Sequence, residues 1–125
     1  MTDVVFDAGG LIALERRHRP TLALVEVILR ARGAVHVSAG VLAQVWRGGP
    51  RQHAIGALLR TEFARVHPLD RVVALRIGAL LARSGTSDVV DAHVALLGRA
   101  LGAKVLTSDP DDLRRLDGSL DLLTV

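Results

Sequence analysis

Four aspartates stand where a strand or a helix is expected to begin or end. Asp7 and Asp109 each come at the end of a short apolar run that is typical of a buried strand. Asp88 and Asp91 are spaced i, i+3 in the first turn of a predicted helix, so both side chains can lie on one face. Ligands of open α/β sheets bind at the carboxyl ends of the strands. We therefore expect the four carboxylates to gather at one rim.

Carboxylates that are crowded together repel one another unless a proton or a cation lies between them. Mg²⁺ and Mn²⁺ take oxygen ligands, and such ions can activate a water molecule and neutralise charge on a phosphodiester. The chemistry that this arrangement implies is hydrolytic phosphoryl transfer.

Each acid also has a purely structural interpretation. Asp109 precedes Pro110 and is followed by Asp112, which is typical of a capped helix start. Asp88 and Asp91 would favour the positive end of a helix dipole without any metal, and Asp7 could start a turn. Their joint location on one predicted rim is what favours a metal site.

The elements that must position these acids alternate between strand and helix. The predicted strands are Val4 to Phe6, Ala34 to Val37, Arg65 to Leu69, Val105 to Thr107 and Leu122 to Val125. The predicted helices are Leu11 to Arg17, Pro20 to Arg32, Ser38 to Trp46, Arg51 to Phe63, Asp70 to Arg83, Val89 to Leu101 and a short one after Pro110. Gly9 and Gly10 are interpreted as a turn. The pattern predicts an α/β fold with a mainly parallel sheet of four to five strands.

Length and composition limit the number of domains and the kinds of site that the chain can form. The chain has 125 residues, half of them hydrophobic, which predicts one domain over residues 1–125. It has no cysteine, which excludes disulfides, thiolate zinc sites and a cysteine nucleophile. No long apolar run and an acidic Asp3 near the start lead us to expect a cytoplasmic protein without membrane segments. Lys104 is the sole lysine, so arginine carries the positive charge; this suits phosphate contacts, but coding bias explains it equally well.

Several other residues have two interpretations. Arg47 and Arg51 flank the break Gly48-Gly49-Pro50 and either contact the phosphates of a nucleic acid or lie in a solvated loop. Trp46 beside them either stacks on a base or packs in a core or interface. His93 is expected to be structural. The stretch from Leu22 to Leu29 is apolar on almost every side, and we favour a protein partner for its second face.

Three stretches resemble a known family. They are VVFDAGGLIAL at the start, VSAGVLAQVWRGG in the middle and TSDVVDAHVALLGRALGAKVLTSDPDDL near the end. They are similar to the PIN domain, and within it to the VapC-type toxins of toxin–antitoxin pairs, over nearly the whole chain. The resemblance implies a PIN-like three-layer α/β/α sandwich and an endoribonuclease that depends on Mg²⁺ or Mn²⁺. It also implies an RNA substrate, a cognate antitoxin partner and a homodimer.

The resemblance assigns site residues by position. Asp7 matches the family's first acid, Asp91 its third and Asp109 its fourth. Thr107 and Ser108 occupy the turn that often supports the last acid.

The family's second acid is usually a glutamate, and Gln44 stands at that position here. A glutamine can offer a neutral oxygen but supplies neither negative charge nor a base. Asp88 is the first candidate to restore the missing charge, and Glu15 and Asp112 are further candidates.

Two other classes of function account for part of the pattern. A domain that binds antitoxin or RNA with little or no catalysis is the alternative that Gln44 suggests. A phosphoacceptor signalling domain should have paired early acids and a lysine after its last conserved strand. Asp7 stands alone and Lys104 precedes its strand, so the pattern disfavours that class.

Overall fold

The computed structural model describes residues 2–125, in which strands and helices alternate as the sequence pattern predicts. The strands are β1 (Asp3–Phe6), β2 (Ala34–Ser38), β3 (Ala64–His67), β4 (Lys104–Thr107) and β5 (Leu122–Thr124). The helices are α1 (Ala8–Glu15), α2 (Arg19–Arg30), α3 (Ala39–Val45), α4 (His53–Leu59), α5 (Arg71–Ser84), α6 (Val89–Leu101) and α7 (Pro110–Leu116), and a 3₁₀ turn spans Pro50–Gln52.

The five strands form one sheet in the order β3-β2-β1-β4-β5, and every neighbouring pair is parallel. β1 and β4 are therefore adjacent at the centre although about 100 residues separate them in the chain. Phe6 is paired with Leu106, so the residues that follow these two strands leave the sheet side by side. The predicted fold class, with its mainly parallel sheet of four to five strands, is confirmed.

Helices cover the sheet in two groups. Helices α2, α3 and α4 pack on α1. Helices α5, α6 and α7 pack on one another, and α6 lies against the central strands. The core is apolar, and Val5, Phe6, Val35, Val37 and Val105 are completely buried. Such continuous apolar runs are expected in parallel strands that are covered on both faces.

Helix α1 begins earlier than predicted, and the interpretation of Gly9 and Gly10 as a turn is wrong. The Asp7 side chain accepts a hydrogen bond from the Ala8 amide at 2.8 Å and so caps the helix directly after β1. Gly9 lies inside α1, and glycine is needed at this position because a Cβ atom would collide with Ser108. The glycine therefore permits a close approach rather than a chain reversal.

The predicted helix from Arg51 to Phe63 is shorter in the structure. It consists of the 3₁₀ turn and α4, and the Thr61 hydroxyl donates to the Leu58 carbonyl at 2.7 Å just past the end of α4. The next strand ends at His67 instead of Leu69, because Pro68 has no amide hydrogen with which to continue the ladder.

Helix α2 buries one face and carries apolar residues on its exposed face as well. Thr21 and Ile28 are buried, whereas Leu22 is 38% and Val27 is 55% exposed. Its second apolar face is therefore open to solvent in the isolated chain. None of the helices within residues 2–125 is both long and apolar enough to cross a membrane.

Candidate active site

Asp7 is the most buried acid at the rim, with 6% of its surface exposed. One carboxylate oxygen accepts from the Ala8 amide, and the other accepts from the Thr107 hydroxyl at 2.9 Å. The Thr107 oxygen in turn accepts from the Asp109 amide at 2.9 Å. One fully buried hydroxyl thus links the acid that follows β1 to the turn that follows β4.

Asp109 precedes α7 but makes no capping hydrogen bond with its side chain. Its carboxylate is exposed at the rim, and Pro110 occupies the first helical position, where no amide hydrogen needs a partner. Ser108 is packed against Gly9 of α1. The structural interpretation of Asp109 as a helix cap therefore does not account for its carboxylate.

Asp88 and Asp91 lie at the start of α6. Asp88 caps this helix, because its Oδ1 atom accepts from the Asp91 amide at 2.8 Å. Both acids line a cavity of about 340 Å³ together with Asp112 and Arg115, which form an ion pair at 3.8 Å. The cap explains where Asp88 lies, and its second carboxylate oxygen still contributes negative charge to the cavity.

The pKa of the Asp91 carboxyl is raised to about 6, first by burial and then by the charges of its acidic neighbours, in the order Asp88, Asp7, Asp112 and Asp109. Burial also raises the pKa of Asp7, hydrogen bonds from Ala8 and Thr107 oppose this rise, and the charges of Asp109 and Asp88 add to it. All these carboxylates therefore act on one another, and a proton or a cation would relieve their repulsion.

The donor set of this cluster fits a hard divalent cation. It consists of carboxylate oxygens, which Mg²⁺ and Mn²⁺ prefer. Within residues 2–125, no three histidine or acidic side chains converge closely enough to enclose an ion by themselves. Mg²⁺ commonly keeps several water molecules and binds through one or two carboxylates. The cluster therefore suits a partly hydrated ion better than an enclosed one.

Gln44 is exposed on α3 and lines a second groove, of about 660 Å³, rather than the cavity of Asp88 and Asp91. This groove begins at Ala8, the residue after Asp7. Its wall also contains Glu15, Arg16, Arg47 and Arg51. The structure thus brings Gln44 and the two loop arginines together beside the acidic cluster.

Sequence reasoning did not identify Gln52, which is 6% exposed at the end of the 3₁₀ turn. Its side-chain oxygen accepts from the amides of Arg47 at 2.7 Å and Gly48 at 3.0 Å. Its amide group donates to Glu15 at 3.0 Å and to the Val45 carbonyl at 2.7 Å. No sequence signal predicts that Gln52 holds this loop, because the loop brings its four hydrogen-bond partners together only in the folded structure.

His93 lies on the buried face of α6, where its Nδ1 atom is 2.7 Å from the Ser38 hydroxyl. The Ser38 oxygen also accepts from the Gly40 amide at 3.1 Å and so caps α3. His93 therefore connects the helix that carries Asp91 to the start of the helix that carries Gln44.

Three solved structures share this fold with the chain. The chain resembles VapBC2 from Rickettsia felis bound to a DNA fragment from their promoter, with 14% identity, coverage of 99% of both chains and a TM-score of 0.68. FitAB bound to an IR36 DNA fragment has 16% identity, coverage of 97% of this chain and 94% of that one, and a TM-score of 0.66. FitAcB from Neisseria gonorrhoeae has 16% identity, coverage of 96% of both chains and a TM-score of 0.59.

At these identities the structural likeness concerns the fold. No curated protein matches the chain significantly. Residues 4–119, however, match the PIN domain as a sequence family, which is nearly the full length. The chain belongs to the PIN domain family.

Proposed function

We propose that this protein is a metal-dependent endoribonuclease that acts as the toxin of a VapBC-type toxin–antitoxin pair. PIN domains are nucleases in general. The observation that carries the proposal is the cluster of acids at one rim: Asp7 and Asp109 follow the central strands β1 and β4, and Asp88 and Asp91 lie at the start of α6. Burial and the charges of its acidic neighbours raise the pKa of Asp91 in this cluster to about 6. Strongly perturbed acids in a cleft are candidates for catalysis.

In this proposal Asp7, Asp91 and Asp109 hold Mg²⁺ or Mn²⁺, and Asp88 supplies additional negative charge. When bound, such an ion supplies an activated water and neutralises charge on the phosphodiester. Thr107 keeps the Asp7 carboxylate in place through its hydrogen bond, while Ser108 packs on α1 and fixes the turn that carries Asp109.

An antitoxin is the proposed protein partner. The VapBC2 and FitAB structures are toxin–antitoxin complexes, which supports this assignment by analogy of fold. The exposed apolar face of α2, with Leu22 and Val27, is suited to a helical partner or to a second copy in a homodimer. RNA cleavage would take place in the cytoplasm.

A second candidate function follows from Gln44. Because this side chain is neutral and exposed where the resemblance expects a glutamate, a domain that binds antitoxin or RNA with little catalysis is the alternative.

The test is cleavage of structured RNAs, such as tRNAs, by purified antitoxin-free protein with Mg²⁺, with Mn²⁺ and with chelator. Asp7→Asn is expected to reduce metal-dependent cleavage by at least about 100-fold, since even outer-shell changes cost 10–100-fold. The matched control is Asp111→Asn, an exposed acid on α7 that is paired with Arg114 and is not among the acids that raise the pKa of Asp91. No cleavage by the wild type with either metal would favour the binding domain.

Asp88 needs a separate variant, because it caps α6 as well as carrying charge. Asparagine caps a helix about as well as aspartate. Asp88→Asn therefore removes the charge and keeps the cap. Lost cleavage in a folded Asp88→Asn protein would support Asp88 as the replacement for the missing glutamate, and full cleavage would reduce its role to capping.

A further inference from the structure

We propose that the groove between α1 and the loop 46–52 binds the RNA backbone next to the acidic cluster, and that Gln52 is the positioning residue that keeps its wall in shape. The inference rests on the proposed function, because it names the path of that substrate. It adds Arg16 to Arg47 and Arg51 as phosphate ligands.

The groove lies where a strand leaving the acids would pass. It begins at Ala8, next to Asp7, follows α1 through Ile12 to Arg16, and is closed on the other side by the loop. Its volume is about 660 Å³. A nucleic acid held at the acids therefore has an adjoining surface along which its backbone can continue.

The charge of the groove suits phosphate. Arg16, Arg47 and Arg51 line it, and none of them forms an ion pair with any acid in residues 2–125. Glu15 is the carboxylate in its wall, and it accepts a hydrogen bond from Gln52. Guanidinium groups bind phosphate oxygens in a bidentate manner, so three of them can hold a backbone.

The loop is held in its shape before any ligand arrives. The buried Gln52 side chain makes four hydrogen bonds, two of them to the amides of Arg47 and Gly48. Gly48 has a φ of 77°, which is the left-handed region that glycine adopts readily. The Arg47 guanidinium donates to the carbonyls of Ala43 at 3.1 Å and Trp46 at 2.7 Å.

A preformed loop loses less conformational entropy on binding than a flexible one. The four bonds of Gln52 thus keep Arg47 and Arg51 at the groove at little cost during binding. RNA is favoured over an acidic protein segment because the groove starts at Ala8, next to Asp7, where the proposed metal ion would hold the phosphodiester that is cleaved.

The experiment measures RNA binding in the Asp7→Asn background, in which cleavage is expected to be at least about 100-fold slower. Fluorescence anisotropy with a labelled tRNA in Mg²⁺ compares Arg16→Ala and Arg51→Ala with the matched control Arg76→Ala, an exposed arginine on α5 outside the groove. Each groove variant should raise Kd by roughly tenfold, as expected for a lost hydrogen bond to a charged group. It should also flatten the slope of log K against log salt by about 0.7 per lost phosphate contact in a single strand.

Two results would overturn the inference. One is equal RNA affinity for the groove variants and Arg76→Ala. The other is saturable binding of poly-glutamate that needs Arg16 and Arg51 while RNA binding does not, which would assign the groove to an acidic partner.

Gln52→Leu tests the positioning role, and its readout separates loop order from folding. RNA affinity should fall as in the arginine variants while Mn²⁺ binding stays unchanged, and in the cleaving protein KM should rise with kcat retained. If Gln52→Leu does not fold, the exposed arginine variants decide the matter. Groove-dependent binding without cleavage by the wild type would contradict only the nuclease, and cleavage with groove-independent binding would contradict only the groove.

Discussion

Two clusters of polar side chains, one on β1 to β3 and one at the rim of the sheet, differ in how their charges are matched. In the first, Asp3 accepts from His36 Nε2 at 2.9 Å, and His36 Nδ1 lies 2.8 Å from His67 Nε2. His36 therefore joins Asp3 and His67 through its two ring nitrogens. In the second cluster Asp91 has acids of the same charge around it. The first cluster is satisfied by its own members, whereas the second needs a partner from outside.

The two clusters respond to pH in opposite directions. Burial lowers the pKa of His67 below its usual 6.5, and His36 and Arg65 lower it further. The stability that the neutral imidazole contributes is present above about pH 6.5 and is lost as pH falls through the folded pKa. The raised pKa of Asp91 means that protonation near pH 6 relieves repulsion in the folded state. Matched polar groups therefore serve the fold, and unmatched ones are candidates for function.

The same substitution of aspartate by asparagine, made once in each cluster, should produce the largest and most different effects on cleavage and on Tm. Asp7→Asn should reduce metal-dependent RNA cleavage by at least about 100-fold and leave Tm within a few degrees, because asparagine retains the helix cap. Asp3→Asn should lower Tm by about 5 °C, because it weakens a charge-assisted hydrogen bond to His36, and should leave cleavage intact. Lost cleavage in a folded Asp3→Asn protein would contradict this division of roles.

Gln44→Glu should restore the negative charge that the PIN family usually has at this position. We expect Mn²⁺ affinity to rise by about tenfold, and cleavage to rise with it, if α3 brings this residue to the ion. Isothermal titration with Mn²⁺ checks the affinity, and Gln44→Ala serves as the control for loss of the amide. Unchanged affinity in Gln44→Glu would exclude this residue from the metal site.

Asp91→Asn should stabilise the metal-free protein, because it removes a charge that its neighbours repel. We expect Tm to rise by about 3 °C at pH 7.5 and to change little at pH 5, where Asp91 is already protonated. The further rise that Mn²⁺ produces in the wild type should disappear in the variant. Differential scanning fluorimetry with Asp111→Asn as control measures both effects, and a lower Tm at pH 7.5 would show that the repulsion is not significant.

His67→Gln should produce the smallest effect, which is a weaker dependence of Tm on pH. Between pH 7.5 and 5.5 the wild type should lose about 2 °C more of its Tm than the variant, because only the wild type must add a proton to a disfavoured imidazole. The same scan in an Asp91→Asn background removes the opposing contribution of the acids. Parallel curves for the two proteins would contradict the role of His67.

The sequence was most informative where local patterns decide structure. The alternation of apolar runs predicted the strands, and the bounds of Val89–Leu101 agree with the structure because Asp88 caps this helix and Gly102 ends it. The order of the strands could not be predicted, because pairing of β1 with β4 depends on contacts across about 100 residues. The start of α1 was missed because Gly9 serves a contact with Ser108 that no local pattern contains.

The candidate site also has features that the sequence predicted and features that it did not. Parallel topology implied that Asp7 and Asp109 follow strands toward one rim, and helical spacing implied that Asp88 and Asp91 lie close together. The hydrogen bonds of Thr107 to both strand ends and the four bonds of Gln52 depend on the three-dimensional path of loops. Such bonds leave no periodic signal in a single sequence.

The most direct test of the central claim is equilibrium binding of Mn²⁺, measured by calorimetry or by the EPR signal of the free ion at pH 7.5. The wild type and Asp111→Asn should bind alike, and Asp7→Asn and Asp91→Asn should bind at least about tenfold more weakly, because each removes a charged oxygen ligand. Equal affinity in all four proteins, or no binding by the wild type at millimolar Mn²⁺, would contradict the assignment of these acids to a metal site.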